Sequence, residues 1–132
     1  MISWKSYLFV MLGGAIGSAL RLWMGSHVTA LAGAAFPIGT LVVNVLGCLA
    51  IGAYAAWAEV PGAAAGTPLV QQFVVVGLLG GFTTFSSFSL QTWELLRAGE
   101  ATRAGVNVLL SVALCLGATW LGYTFVRACI SR

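Results

Sequence analysis

The chain contains few charged residues for its length. Asp, Glu, Lys and Arg make up only 7% of its 132 residues, 60% are hydrophobic, and the mean hydropathy is +0.99. A soluble domain carries about 25% charged residues, so this composition excludes a water-soluble surface. The sequence therefore predicts an integral membrane protein. At about 20 residues per helix, its length leaves room for four spans.

Ionisable side chains are missing from the interiors of the hydrophobic segments, which contain no Asp, Glu, Lys or His. Proton-coupled transporters normally use an intramembrane carboxylate as a relay, and none is present. The sequence also has no Gly-Lys-Ser/Thr phosphate loop, no metal-ligand cluster and no Ser-His-Asp or Cys-His set. These absences argue against an enzyme and against proton-coupled transport.

Neither the basic residues nor the cysteines form a cluster. The net charge is +3, but the Lys and Arg residues stand singly near the ends of the hydrophobic segments, so no nucleic-acid partner is expected. The cysteines are odd in number, at Cys48, Cys115 and Cys129, and the first two fall inside hydrophobic segments. We interpret them as free, packed thiols rather than a disulfide framework.

The hydrophobic pattern predicts a single all-α membrane domain over 1–132. Its four spans are expected at about 7–24, 37–57, 69–96 and 105–126. We expect the first span to be an uncleaved helix rather than a signal peptide, followed by a turn over 25–35 that contains His27. Gly13 and Gly17 form a small-xxx-small face that favours close helix packing, and Arg21 near the predicted end of this span would snorkel or line a vestibule.

The third span contains an unusual segment, Gly-Leu-Leu-Gly-Gly-Phe-Thr-Thr-Phe-Ser-Ser-Phe-Ser over 77–89. Five hydroxyl side chains in this short stretch are incompatible with a helix that faces lipid, because a polar group without a partner in hydrocarbon costs several kcal/mol, roughly. The span is also long for one crossing. We therefore predict two half-helices joined by a non-helical break, either buried or lining a water-filled path.

Polar side chains also occur inside the second and fourth spans. Asn44 lies within the second span, where an amide serves either a structural interhelical hydrogen bond or a pore lining. In the fourth span Asn107, Ser111, Cys115 and Thr119 follow at four-residue spacing, which places them on one helical face. That stripe is either a seam between helices or a hydrophilic track, and we favour the track.

The positive charges give no preferred orientation in the membrane. Four spans place the termini and the 59–68 linker on one side, and the basic residues of that side are Lys5, Arg127 and Arg132. Those of the other side are Arg21, Arg97 and Arg103. Because the count is balanced, the chain can insert both ways, and two chains can pair in antiparallel fashion about a two-fold axis in the membrane plane.

The polar groups that remain are neutral. Hydroxyls and amides donate hydrogen bonds, and aromatic rings such as Phe85 and Phe88 present a positive edge, which suits a small anion. Free backbone carbonyls at a helix break instead suit a cation such as Na⁺.

Three motifs resemble the small bacterial fluoride channels known as Fluc or CrcB. They are Gly-Gly-Ala-Ile-Gly-Ser-Ala-Leu-Arg over 13–21, Gly-Thr-Leu-Val-Val-Asn-Val-Leu-Gly over 39–47, and the 77–89 segment. With the length and the four-span layout, the resemblance covers essentially the whole chain, and the third motif is the most specific.

The resemblance implies a dual-topology antiparallel homodimer in the cell inner membrane that exports fluoride passively and so reduces its toxicity. It implies a structural Na⁺ at the dimer centre, held by the backbone carbonyls of Gly80 and Thr83. The fluoride pathway it implies is lined by Asn44, Phe85, Phe88, Ser111 and Thr119. Asn107 and Cys115 match the family's polar track less well, because Cys115 stands where a hydroxyl is expected.

Two other functions fit a four-span protein of this size. A small multidrug exporter would need a membrane-embedded Glu in the first span, and residues 7–24 contain none. A non-transporting membrane assembly protein would use the break and the polar stripe only for packing. Nothing in the hydroxyls and ring edges themselves distinguishes fluoride from other small anions.

Overall fold

A computed structural model of the chain describes residues 3–131. Within that range lie four helical segments long and apolar enough to cross a membrane, at Trp4–Ala32, Ile38–Ala58, Pro68–Arg97 and Ala101–Ile130. Helix α1 is Trp4–Ala32, α2 is Ile38–Ala58 and α6 is Ala101–Ile130. The four-span, all-helical architecture predicted from the composition is confirmed. Arg132, which entered the charge count, lies outside the described residues.

The first helix continues past the predicted turn over 25–35, so that prediction is wrong for residues 25–32. Helix α1 ends at Ala32, and Gly33 follows with φ 84°, a value that favours glycine. The Ser26 hydroxyl donates to the carbonyls of Leu22 and Trp23, and a His27 ring nitrogen lies 2.7 Å from the Trp23 carbonyl. Polar side chains that bond back onto the preceding turn are compatible with helix, so the polarity here does not mark a helix end.

The other segments agree with the predicted spans to within a few residues at most ends. Helix α2 begins at Ile38, and Pro37 is its N-cap. Helix α6 is longer than predicted, because it begins at Ala101 and continues to Ile130. The linker after α2 contains a 3₁₀ turn at Ala64–Gly66, and Tyr54 donates a hydrogen bond of 2.6 Å to the Ala65 carbonyl there.

The third span is wound in four pieces. It begins with α3, Pro68–Gln71, and continues as a π-helix over Gln72–Leu79. A short helix α4, Gly80–Phe82, precedes two extended residues, and α5 then runs over Phe85–Arg97. The π-helix is rare in proteins and often occurs at functional sites.

Helix α1 packs against the third span through glycines on both sides. A Cβ atom placed on Gly17 would lie 2.8 Å from the Phe82 backbone nitrogen, and one on Gly81 would lie 2.7 Å from the Gly14 carbonyl oxygen. Gly13 likewise faces the backbone of Leu78. The close approach predicted from the Gly13/Gly17 face is therefore confirmed, and any side chain at these positions would push the two helices apart.

Helices α2 and α6 run parallel and are also joined by glycines. Gly52 lies against the Thr119 carbonyl, and Gly122 against the Leu49 carbonyl. Most of the bundle's outer surface is apolar, and large side chains such as Leu22, Leu109 and Phe125 are exposed. A surface of this kind suits lipid or another membrane protein rather than water.

Candidate functional site

The regular winding of the third span is interrupted at two threonines. Thr83 has φ −80° and ψ 160°, and Thr84 has φ −152° and ψ 110°, so both are extended. The Thr83 hydroxyl donates to the Leu79 carbonyl at 2.9 Å and so closes the end of α4. Gly80 and Gly81 lower the helix propensity just before this point, which makes an interruption here less costly.

Thr84 begins the next helix as its N-cap. Its hydroxyl oxygen accepts a hydrogen bond of 3.1 Å from the Ser87 N–H, and it also lies 3.2 Å from the Ser86 hydroxyl oxygen. It donates its own proton to the Ser87 hydroxyl oxygen at 3.0 Å. Several of the hydroxyls in the 77–89 segment therefore satisfy one another and the helix ends, as a polar break away from water requires.

Asn44 of α2 holds the interruption with both ends of its amide. Its Nδ2 donates to the Thr84 carbonyl at 3.0 Å, and its Oδ1 accepts from the Thr84 N–H at 2.8 Å. Thr84 is only 7% exposed, so its backbone groups have little access to water. Of the two uses left open for Asn44, the interhelical hydrogen bond is confirmed. The pore-lining use stays a prediction, although Asn44 also borders the cavity described below.

Arg21 of α1 reaches the same interruption. Its Nη1 donates to the Thr83 carbonyl at 3.3 Å. The residue lies well inside α1 rather than near its end, because α1 continues to Ala32. The expected position near a helix end is thus corrected, whereas a vestibule role for Arg21 stays a prediction. Its positive charge lies close to the carbonyls that were predicted to hold Na⁺.

The backbone at the interruption provides oxygen ligands of the kind that Na⁺ takes. In a continued α-helix the Thr84 N–H would donate to the Gly80 carbonyl, but here it donates to Asn44. The Gly80 carbonyl therefore loses its ordinary helical partner, which makes it a suitable hard ligand. The Thr83 carbonyl also fits as an oxygen ligand, but it shares its site with the Arg21 guanidinium.

A cavity of about 440 Å³ adjoins the interruption. Seven residues singled out from the sequence line it: Asn44, Gly80, Thr83, Phe85, Phe88, Ser111 and Cys115. The remaining wall is mostly aliphatic and includes Ile51, Leu79 and Val112. Helices α2 and α6 and the third span thus bring most of the predicted site together.

The two phenylalanines at the start of α5 form a pair beside this cavity. The ring centroids of Phe85 and Phe88 are 5.3 Å apart, with an angle of 53° between the ring planes. Phe85 is 79% exposed, whereas Phe88 is half-buried. Because Phe85 is also the first residue of α5, the positive end of that helix lies at the cavity. Ring edges and a helix N-terminus both favour an anion over a cation.

The polar stripe of α6 divides into two parts. Ser111 and Cys115 line the cavity, as a hydrophilic track would. Asn107 is 2% exposed and donates to the Thr92 hydroxyl oxygen of α5 at 2.8 Å, and Thr119 donates to the Cys115 carbonyl at 3.1 Å. Neither Asn107 nor Thr119 lines this cavity. Within the single chain, Asn107 belongs to a helix seam, and a pathway role for Thr119 stays a prediction.

Two residues of the site did not emerge as such from the sequence. Thr84 is the partner of Asn44 and the N-cap of α5, and its position just before a run of helix-compatible residues is the signal that identifies an N-cap. Cys48 lines the cavity one helical turn after Asn44, so the helical period identifies it.

The comparisons with known proteins agree with one another. The profile of the family described as "CrcB-like protein, Camphor Resistance (CrcB)" matches residues 8–123. A protein of Methylocella silvestris is 47% identical over 117 residues, which cover 89% of each chain. One from Rhodospirillum rubrum is 47% identical and covers 89% of this chain and 92% of its own, and one from Opitutus terrae is 50% identical with 89% of each covered. All three are named fluoride-specific ion channel FluC.

Proposed function

Because the chain belongs to the CrcB family, we propose that it is a fluoride-selective ion channel, not an enzyme, and that it acts as a multi-pass protein of the cell inner membrane. Fluoride leaves the cytoplasm through it passively, which reduces fluoride toxicity. The observation that carries this proposal is the similarity, over nearly the whole chain, to relatives named fluoride-specific ion channel.

The anion path runs along the cavity at the interruption of the third span. An anion that sheds its water needs hydrogen-bond donors and positive potential along its path. The Ser111 hydroxyl, the positive end of α5 and the edges of Phe85 and Phe88 supply these. Both functional groups of the Asn44 amide are engaged by Thr84, so this residue shapes the path more than it binds the ion.

The working unit is an antiparallel homodimer. Phe85 borders the cavity and yet is 79% exposed, and a second copy packed against this face would cover it and close the cavity wall. Arg21 lies within the bundle, so it does not count toward the charge balance between the two membrane sides. The remaining basic residues are Arg97 and Arg103 on one side and Lys5, Arg127 and Arg132 on the other. A difference of one residue still gives little preference for either orientation.

The dimer centre is the place proposed for a structural Na⁺. Gly80 and Thr83 would hold it through their backbone carbonyls, and the two-fold axis would double the number of oxygen ligands. Such an ion fixes the interrupted backbone of both copies. The Arg21 guanidinium, which donates to the Thr83 carbonyl, opposes cation binding there and sets how tightly the ion is held.

Efflux from reconstituted vesicles tests the function. Liposomes that contain the purified protein are loaded with fluoride or chloride. The liposome membrane is then made permeable to K⁺, and ion-selective electrodes measure the efflux of each anion. We expect rapid loss of fluoride and negligible loss of chloride, with protein-free liposomes as the control. Retention of fluoride would refute the channel and favour a non-transporting assembly protein. Helix α1 contains no Glu, so the structure offers nothing in favour of a small multidrug exporter.

A further inference from the structure

Helices α2 and α6 keep a constant register along their contact. Gly52 lies against the backbone of Thr119, and the two helices run parallel. One turn earlier on both helices, the same register pairs Cys48 with Cys115. A further turn earlier it pairs Asn44 with Ser111. The close backbone approach at Gly52 therefore places the two cysteines on facing sides of the same seam.

The two thiols meet at the cavity. Cys48 and Cys115 both line it, both are half-buried, and their side chains lie beside each other. The thiols are free, and neither is consumed by a disulfide. The third cysteine, Cys129, is exposed close to the C-terminal end of α6 and does not line the cavity. The cavity therefore gives a small ion access to a pair of thiols.

Paired thiols are ligands for soft metal ions. Zn²⁺ in a structural site takes four ligands, but no group of three or more His, Cys, Asp or Glu side chains is found among residues 3–131. A site of two sulfurs suits instead an ion that binds two thiolates in a line, as soft cations do. Two thiols and Hg²⁺, for example, give two sulfur–metal bonds and release two protons.

We propose that Cys48 and Cys115 form a two-thiolate site for a soft, linearly coordinated cation such as Ag⁺, Cu⁺ or Hg²⁺, and that the bound ion obstructs the cavity. The obstruction follows because the sulfurs stand one turn from Asn44 and Ser111 on the cavity wall. An ion held there takes up space in the cavity. With Ag⁺ or Cu⁺ the two thiolates also leave the site with a net negative charge, which repels a passing anion. The obstruction rests on the proposed channel function, whereas binding of the metal does not.

Metal binding is measured directly, without transport. The full-length protein with Cys129→Ser is treated with one equivalent of Hg²⁺, washed with a competing small thiol, and weighed by intact-protein mass spectrometry. We expect one retained Hg²⁺ per chain. Cys48→Ser and Cys115→Ser in the same background should each retain it about 100-fold more weakly, because a second ligand on the same rigid scaffold raises affinity by about that factor. Equal retention by the single variants, or none by Cys129→Ser, would overturn the site.

Obstruction is measured next in the same vesicles as the channel assay. Hg²⁺ should stop fluoride efflux through the Cys129→Ser protein. Whatever efflux the Cys48→Ser/Cys115→Ser/Cys129→Ser protein shows should be the same with and without Hg²⁺. Retained metal with undiminished efflux would overturn the obstruction alone. If untreated protein carries no fluoride, the channel proposal fails while the mass measurement still decides the metal site. Size-exclusion profiles check that the variants are folded, and the small Cys-to-Ser changes should leave these profiles unchanged.

Discussion

The Asn44 amide and the Thr84 backbone are joined by two hydrogen bonds, which we call the clamp. Its removal should have the largest effect on fluoride efflux for the smallest change in side-chain volume. Asn44→Ala deletes both hydrogen bonds to the Thr84 backbone, of 3.0 and 2.8 Å. Asn44→Asp keeps an acceptor for the Thr84 N–H but replaces the donor with an oxygen that faces the Thr84 carbonyl. Both variants leave the glycine contacts and the aromatic pair untouched.

The expected loss follows from the burial of Thr84. A buried backbone group left without a partner costs about 1–3 kcal/mol. Thr84 is 7% exposed, so its N–H and carbonyl both lose a partner in Asn44→Ala, although water in the cavity relieves one of them in part. We therefore expect about 2–4 kcal/mol less stability for the interrupted conformation. Because 1.4 kcal/mol corresponds to a factor of ten, fluoride efflux should fall by at least about tenfold.

Fluoride efflux per reconstituted dimer and the thermal unfolding midpoint in detergent measure this effect. The matched control is Asn107→Ala, which removes another buried interhelical amide bond, of 2.8 Å to the Thr92 hydroxyl, away from the interruption. We expect the control to lower the midpoint by a similar amount while conserving efflux. Wild-type efflux from a well-folded Asn44→Ala protein would refute the clamp.

Three other changes test different contacts. Gly17→Ala should prevent stable folding, because its Cβ would lie 2.8 Å from the Phe82 nitrogen. Gly117→Ala is the control: its Cβ would meet open space, so the size-exclusion profile and the melting midpoint should not change. Equal behaviour of the two variants would contradict the packing. Replacing Na⁺ by a large organic cation should lower the melting midpoint of the dimer, and no change would count against the central ion. Arg21→Gln removes a positive charge beside the Thr83 carbonyl, so in the same melting assay Na⁺ should stabilise this variant at several-fold lower concentration. An unchanged Na⁺ dependence would contradict competition between Arg21 and Na⁺ for that carbonyl.

The sequence predicts the spans because hydrophobic length and charge depletion depend only on composition. It also predicts the glycine contact of α1, since Gly13 and Gly17 leave no side chain between two backbones. It misplaces the end of α1, because Ser26 and His27 look like loop residues but bond to the preceding helical turn. Helix ends in membrane proteins follow backbone satisfaction rather than polarity alone.

The sequence predicts which residues belong to the candidate site but not which role each of them has. A four-residue spacing places Asn107, Ser111, Cys115 and Thr119 on one face, but only packing against α2 and α5 decides which of them meet the cavity. Likewise, an intramembrane Asn predicts a hydrogen bond without naming its partner. That partner is Thr84, and it depends on an extended backbone that no helical period describes.

The account's central claim is that fluoride passes along the cavity beside Phe85 and Phe88. Its most direct test is fluoride efflux from vesicles that contain equal amounts of wild-type, Phe85→Ile or Phe88→Ile protein, with dimers verified by cross-linking. We predict fast fluoride loss for the wild type, and suppressed loss for both variants with dimers intact, because isoleucine fills similar space without an aromatic edge. Normal fluoride loss through both variants would contradict the claim.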